Sequence, residues 1–164
     1  MKYEDVKIGK IKPLRGKVHA YLGMTLDVAS EGVVKIKTLN YVSKMLDAFY
    51  YPKEIAKEVV SPASENLYKI DEKSEKLDAK RAQEFHNMVA KGLFLTKRAR
   101  PDLMTAIAFL CTRVQAPTVG DWSKLIRLLR YLNGTRDLFM TLRADDTTIV
   151  KWYGDGLFAV HNWM

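Results

Sequence analysis

The side chains able to do acid–base, metal or nucleophilic chemistry are few and widely separated in this chain. The three histidines, His19, His86 and His161, have no cysteine or carboxylate paired with them at the spacing of metal ligands, so no metal site is predicted. The single cysteine, Cys111, falls beside apolar residues of a predicted helix, which favours a packed thiol over a nucleophile. The sequence also contains no glycine-rich phosphate loop, zinc-binding spacing or nucleophile elbow.

Basic residues give the stronger signal, and they suit binding rather than catalysis. The 164 residues include 27 Lys or Arg and 19 Asp or Glu, a net charge of +8, and residues 81–143 alone carry 11 basic and 4 acidic groups, a net +7. A localised basic surface is typical of a protein that binds a polyanion. We therefore take seven cations of this segment as candidate nucleic-acid-binding residues: Lys97, Arg98, Arg100, Arg113, Lys124, Arg127 and Arg130.

Each of these cations also has a plainer interpretation. Arg100 can pair with the aspartate two residues further on, and Arg113 can hydrogen-bond carbonyls at a helix end. Lys124, Arg127 and Arg130 recur on one face of a predicted helix, where they could serve solubility alone. Charge by itself leaves both interpretations open.

Composition indicates one soluble domain or a large piece of one. The chain is 48% hydrophobic and 28% charged, which is ordinary for a globular protein. A single cysteine excludes an internal disulfide and fits a reducing compartment, so we expect a cytoplasmic or nuclear location. No apolar run approaches the ~18 residues of a membrane span, and the first residues lack a secretory-signal pattern, so we expect no membrane partner.

The first half of the chain predicts a β-hairpin followed by a helix. Residues 17–28 alternate apolar and polar side chains as one strand, residues 29–32 form a turn, and residues 33–37 return as a second strand. Thr38 can then cap a helix with apolar residues at helical spacing up to Phe49. Residues 51–77 are highly charged and predict a surface connection with one short helix near residues 54–59.

The second half predicts three helices and a final strand. Asp78 can cap the first helix, and Pro101 suits the first position of the second. Thr118 and Asp121 resemble a capping box for the third helix, which ends at residues 133–134. A last strand is predicted over residues 147–153. The predicted fold class is therefore α+β, with a β-hairpin plus helix, a three-helix unit and a terminal strand.

Several segments, taken in order, resemble the reverse transcriptases of copia-type retrotransposons. Residues 19–27 read HAYLGMTLD, similar to the family's "YLGM" strand, and residues 41–46 read YVSKML, similar to its "YV-x-x-ML" helix. Residues 61–63 (SPA) with 67–68 (LY) resemble its "TPA … LF" connection, and residues 97–102 (KRARPD) its "KRARPD" block, which follows an "FH … A-x-x-LF" segment matched at 85–95. Residues 127–135 read RLLRYLNGT, similar to "R-x-x-RYL-x-GT", and residues 152–161 resemble the ribonuclease H entry strand.

The resemblance implies a fragment of that polyprotein, with the end of the palm at 1–50, a connection at 51–77, a helical thumb-like unit at 78–143 and the truncated start of ribonuclease H at 144–164. The thumb would grip the backbone of a template–primer duplex of DNA or RNA without sequence preference. The hairpin would support the end of the primer through five residues: His19, Tyr21, Leu22, Gly23 and Met24. The other implied partner is the remainder of the polyprotein.

Catalysis would be incomplete in this chain. The family's palm aspartates have no match here, and Asp155 corresponds to the first metal-binding acid of ribonuclease H, without the other acids that two-metal hydrolysis requires. The full-length enzyme would use Mg²⁺, whereas no cofactor is expected for this chain. One alternative is a split enzyme whose palm comes from another chain. Another is a domesticated or decayed interaction domain, without catalysis, whose basic face binds a protein or nothing.

Overall fold

The computed structural model describes residues 17–143, 148–149 and 152, and these residues form an α+β architecture. The strands are β1 (Val18–Tyr21), β2 (Met24–Asp27), β3 (Val33–Lys37) and β4 (Met140–Arg143). The helices are α1 (Leu39–Asp47), α2 (Ala79–Thr96), α3 (Met104–Cys111) and α4 (Val119–Gly134). Two short 3₁₀ turns, Pro52–Ile55 and Pro101–Leu103, lie between them. The predicted α+β class is confirmed at this level.

The four strands form one antiparallel sheet in the order β1-β2-β3-β4. The prediction of a single strand over residues 17–28 was wrong, because Leu22 and Gly23 form a tight turn that pairs Tyr21 with Met24. Both turn residues have a positive φ, 45° for Leu22 and 77° for Gly23, as a two-residue hairpin turn requires. Leucine seldom adopts this conformation, and the alternation of apolar and polar residues continues through the turn. For both reasons the turn was not recognised from the sequence.

The fourth strand was not predicted from the sequence. β4 pairs with β3, with Val34 opposite Leu142 and Ile36 opposite Met140. The predicted terminal strand over residues 147–153 lies largely outside the described residues, and its described members, 148, 149 and 152, belong to none of the four strands. Asp155 lies outside the described residues as well.

The sequence predicted a capping bond at the start of three helices, and two of the three bonds are present. Asp78 accepts a hydrogen bond from the Arg81 amide at 2.9 Å, so it caps α2. Thr118 and Asp121 form the predicted reciprocal capping box at the start of α4. Thr38 precedes α1, but its side chain makes no capping bond, contrary to the prediction. The short helix expected near residues 54–59 is a single 3₁₀ turn that begins earlier, at Pro52.

The hydrophobic core lies among the helices, and the sheet contributes no residue to its buried cluster. The core is continuous across α1, the 3₁₀ turns and α2 to α4, with Phe85, Leu110 and Leu129 fully enclosed. α2 and α3 approach closely at Gly92, where an added Cβ would collide with Ile107 Cδ1. The sheet is therefore a half-exposed layer beside a helical core. Among the described residues no helix has the length and apolar character needed to cross a bilayer.

Candidate nucleic-acid interface

Arg100 is buried and belongs to the interior rather than to a binding surface. Its guanidinium donates to the Asp102 carboxylate at 2.8–3.2 Å and to the backbone carbonyl and hydroxyl of Thr135 at 2.9 and 2.8 Å. None of its side chain is exposed. Since a buried charge is tolerated only when paired, these bonds explain its burial. Arg100 ties the loop after α2 to the end of α4, and we remove it from the candidate interface.

Arg113 also serves an internal ion pair. Its Nε donates to the carboxylate of Asp121 at 3.1–3.2 Å, and the Asp121 side chain is 3% exposed. The same carboxylate accepts from the Thr118 amide in the capping box. Arg113 therefore neutralises a buried acid at the start of α4, instead of hydrogen-bonding helix-end carbonyls as the sequence suggested. Its charge is committed, although part of its side chain reaches the surface.

The row of Lys124, Arg127 and Arg130 on α4 faces the connection rather than open solvent. Lys124 Nζ donates to the Lys69 carbonyl at 2.6 Å, and Arg127 Nη2 donates to Ser61 Oγ at 3.0 Å. Arg130 Nε donates to the backbone carbonyl of the glutamate in the 3₁₀ turn at 2.8 Å. All three cations are half-buried. The row thus holds the connection onto α4 at three separated points.

The charges of this row are not cancelled by those bonds. Its three partners are two carbonyl oxygens and one hydroxyl, all neutral, and within the described part of the chain Lys124, Arg127 and Arg130 form no ion pair. Burial lowers the pKa of Lys124, the neighbouring charge of Arg113 lowers it further, and Asp121 opposes both. The row therefore combines a structural role with an uncompensated positive field.

The structure brings the predicted hairpin residues next to the predicted cations at the end of α2. The turn at Gly23 lies on two aromatic rings, because a Cβ there would be 3.6 Å from Tyr41 Cδ2 and 3.9 Å from Phe94 Cζ. These two rings stack with centroids 4.5 Å apart. The Arg98 guanidinium lies 3.8 Å from the Phe94 ring centroid and donates to the Phe94 carbonyl at 3.4 Å. Residues far apart in sequence thereby form one continuous surface.

We call this the hairpin-turn surface and define it by the turn, its neighbouring tyrosine and the two adjacent cations. It comprises Tyr21, Leu22, Gly23 and Arg98, and we include Lys97 as the exposed neighbour of Arg98 in the sequence. The side chains of Tyr21 and Leu22 are 57% and 61% exposed, and Lys97 is exposed too. Arg98 uses one of its five donors internally, which leaves others for an external acceptor. The remaining predicted hairpin residues, His19 and Met24, are half-buried in the sheet.

The electrostatics around Tyr41 agree with this packing. Burial raises the pKa of the Tyr41 hydroxyl, and the positive charge of Arg98 partly opposes that rise. Stacking on Phe94 fixes the plane of the Arg98 guanidinium, which lowers the entropy lost when it binds an anion. The surface thus presents an oriented cation beside exposed apolar groups.

Sequence reasoning missed a second cluster centred on Glu54. Its carboxylate accepts from Trp122 Nε1 at 2.6 Å and from Arg81 Nη2 at 3.2 Å. The Arg81 guanidinium lies within 5.3 Å of the Tyr51 and Trp122 rings. A glutamate within a highly charged segment carries no signal of such contacts, so the cluster could not be inferred from the sequence. It joins the connection to α2 and α4 and is structural.

Two observations bear on catalytic chemistry in the described part of the chain. No set of three or more His, Cys, Asp or Glu side chains there is placed to hold a metal ion. Cys111 is half-buried, and burial raises the pKa of its thiol, which lowers the fraction of reactive thiolate.

Comparisons with protein-family models, with curated proteins and with solved structures find no match to this chain.

Proposed function

We propose that this chain is the end of the palm and the thumb of a copia-type reverse transcriptase, and that it binds a template–primer duplex through backbone phosphates. The observation that carries the proposal is the packing of the hairpin turn against Tyr41 and Phe94 beneath Arg98. A hairpin and a cationic helix end on one surface suit a duplex held near the end of its primer. The motif order along the sequence supports the same assignment.

The charge distribution supports binding through phosphates rather than base edges. Residues 81–143 carry a net +7, which includes the three charges of the α4 row, and no acid of the described residues pairs with these three. Phosphate contacts supply affinity without sequence preference. The hairpin-turn surface would contact the duplex directly, and the α4 row would contribute a long-range attractive field.

A paired-variant experiment tests the direct contact. Replacing Lys97 and Arg98 by glutamine removes two charges from the hairpin-turn surface, and replacing Lys53 and Lys57 removes two charges from exposed positions of the connection. Duplex DNA binding is followed by fluorescence anisotropy over a range of salt concentrations. The logarithmic salt slope should flatten by about 2 for the Lys97/Arg98 variant, since each phosphate contact contributes about 0.9.

The Lys53/Lys57 variant should keep the parent's salt slope within error, because removing charges that act only through their long-range field alters the salt slope little. Equal flattening in both variants would show that only net charge matters and would remove the hairpin-turn surface from the proposal. In the same preparation, primer extension and hybrid cleavage with Mg²⁺ should stay at background, since the chain carries no match to the palm aspartates.

A second candidate is a protein-interaction domain, which the sheet favours. The strand pairing places Tyr21, Leu26, Ile36 and Leu142 on one face. None of these four residues is buried, and Leu142 is 49% exposed. A partly exposed apolar face is typical of protein contacts. Duplex binding whose affinity is independent of salt, or no duplex binding, would favour this candidate.

A further inference from the structure

A cleft between the connection and α4 is lined by two cations and by no acid. Its volume is about 220 Å³, and its walls include Ser64, Asn66, Ser123, Lys124 and Arg127. Pro62, Ala63 and Leu67 provide its apolar side. The cleft is large enough to hold a tetrahedral oxyanion together with part of the molecule that bears it. Its charge is positive, because none of its lining residues is a carboxylate.

Arg127 has guanidinium donors that no described residue takes up. Its Nη2 donates to Ser61 Oγ at 3.0 Å, which leaves further Nη donors for an anion in the cleft. Its Nε also has no hydrogen-bond partner among the described residues, but this atom is enclosed and would not itself contact a ligand in the cleft. Lys124 adds a second cation to the cleft. One of its three donors is used by the Lys69 carbonyl, so two remain for an anion.

We propose that this cleft binds a phosphate group, held by Arg127 and Lys124 and by the neighbouring hydroxyl and amide of Ser64 and Asn66. The polar side chains that line this cleft carry several hydrogen-bond donors, which match the many acceptor lone pairs of a phosphate better than the planar pair of a carboxylate. The group would belong to a small phosphorylated molecule or to the backbone of a nucleic acid. This inference stands independently of duplex binding at the hairpin-turn surface.

Inorganic phosphate is the direct probe. Isothermal titration and thermal unfolding are measured with phosphate, with acetate and with chloride at matched ionic strength and pH. Phosphate should bind and raise Tm, because a ligand that binds only the folded state stabilises it, whereas acetate and chloride should leave Tm unchanged. Equal stabilisation by all three anions, or by acetate and phosphate, would overturn the assignment.

Two variants locate the site without dismantling the fold. Ser64→Glu places a carboxylate in the cleft and leaves both cations in position, and Ser30→Glu makes the same change in charge at the exposed turn before β3. Ser64→Glu should weaken phosphate binding at least about tenfold, the value of one charged hydrogen bond. Ser30→Glu should bind as the parent does. Equal affinity of the two variants would place any phosphate elsewhere and refute the cleft.

Arg127→Lys supplies an independent check, since it keeps the charge and removes the planar set of guanidinium donors. Phosphate affinity should fall about tenfold, and an unchanged affinity would contradict the proposal. Duplex binding distinguishes the two sources of the phosphate group, a small phosphorylated molecule and a nucleic-acid backbone. If Ser64→Glu weakens duplex affinity no more than Ser30→Glu does, the cleft serves a small phosphorylated molecule. If it weakens duplex affinity much more, the cleft holds a backbone phosphate.

Discussion

Replacing Lys124, Arg127 and Arg130 together by glutamine should destabilise the domain as well as weaken any polyanion binding. The sequence alone left open whether this row binds nucleic acid or serves solubility, and under either interpretation the change would not affect the fold. In the structure each cation donates to a different part of the connection, at 2.6–3.0 Å. Removing the row therefore removes three of the bonds that hold the connection on α4, while the bond from Trp122 to Glu54 remains.

The magnitude follows from the three lost bonds. A typical protein hydrogen bond contributes about 0.5–1.5 kcal/mol net, so three half-buried bonds contribute about 2–4 kcal/mol. This is a large share of the roughly 5–15 kcal/mol by which a domain is stable. At this chain length, the loss corresponds to a fall in Tm of about 10 °C. Because the three bonds hold one segment, their separate effects need not add.

Thermal unfolding followed by circular dichroism measures the effect. The matched control replaces Lys53, Lys57 and Lys73 by glutamine, which removes the same charge from exposed lysines of the connection. That control should melt within about 2 °C of the parent, as surface substitutions usually change stability by less than 0.5 kcal/mol. If both triple variants melt together, the α4 row does not hold the connection, and the interpretation as a solvated face stands.

Three further perturbations test the packing and the ion pairs. Gly92→Ala should destabilise the domain by up to about 2 kcal/mol in chemical denaturation, because the methyl meets the enclosed Ile107 at a cost of about 1–3 kcal/mol, whereas alanine gains about 1 kcal/mol over glycine inside a helix. Arg100→Gln should lower stability by about 3 kcal/mol, since it removes one partner of an interior ion pair. It should leave the salt slope of duplex binding unchanged. A flatter slope would return Arg100 to the interface. The hydrogen bond from Lys37 lowers the pKa of Asp27 below 3.8. This pair therefore stabilises the fold above the unfolded pKa, and the stabilisation is lost as pH falls through the folded pKa. An NMR titration midpoint of Asp27 at or above 3.8 would contradict this prediction.

Local rules recovered the helical part of the fold because its signals are local. Asp78 and the Thr118–Asp121 box cap their helices as their spacing predicts, and apolar residues at helical spacing mark the faces that pack. The sheet was harder. The turn at Leu22 and Gly23 interrupts no alternation, and β4 is a four-residue strand recognisable only by its pairing with β3.

The residues of the hairpin-turn surface were singled out from the sequence, but their arrangement was not predicted. The motifs singled out the hairpin and the KRAR segment separately, and only tertiary packing on Tyr41 and Phe94 joins them. The opposite error occurred at α4. A polar helix face is normally exposed to solvent, yet here the charged connection covers the polar face of α4. Composition does not reveal which polar face a charged segment will cover.

Chemical-shift mapping with duplex DNA tests the central claim most directly. The chain is labelled with ¹⁵N and titrated with a short duplex that carries a recessed primer end, at low salt. The largest shifts should fall at the amides of Gly23, Lys97 and Arg98, and they should vanish as salt is raised. Shifts confined to Leu26, Ile36 and Leu142 of the apolar sheet face, or shifts that persist at high salt, would contradict a phosphate-binding hairpin-turn surface.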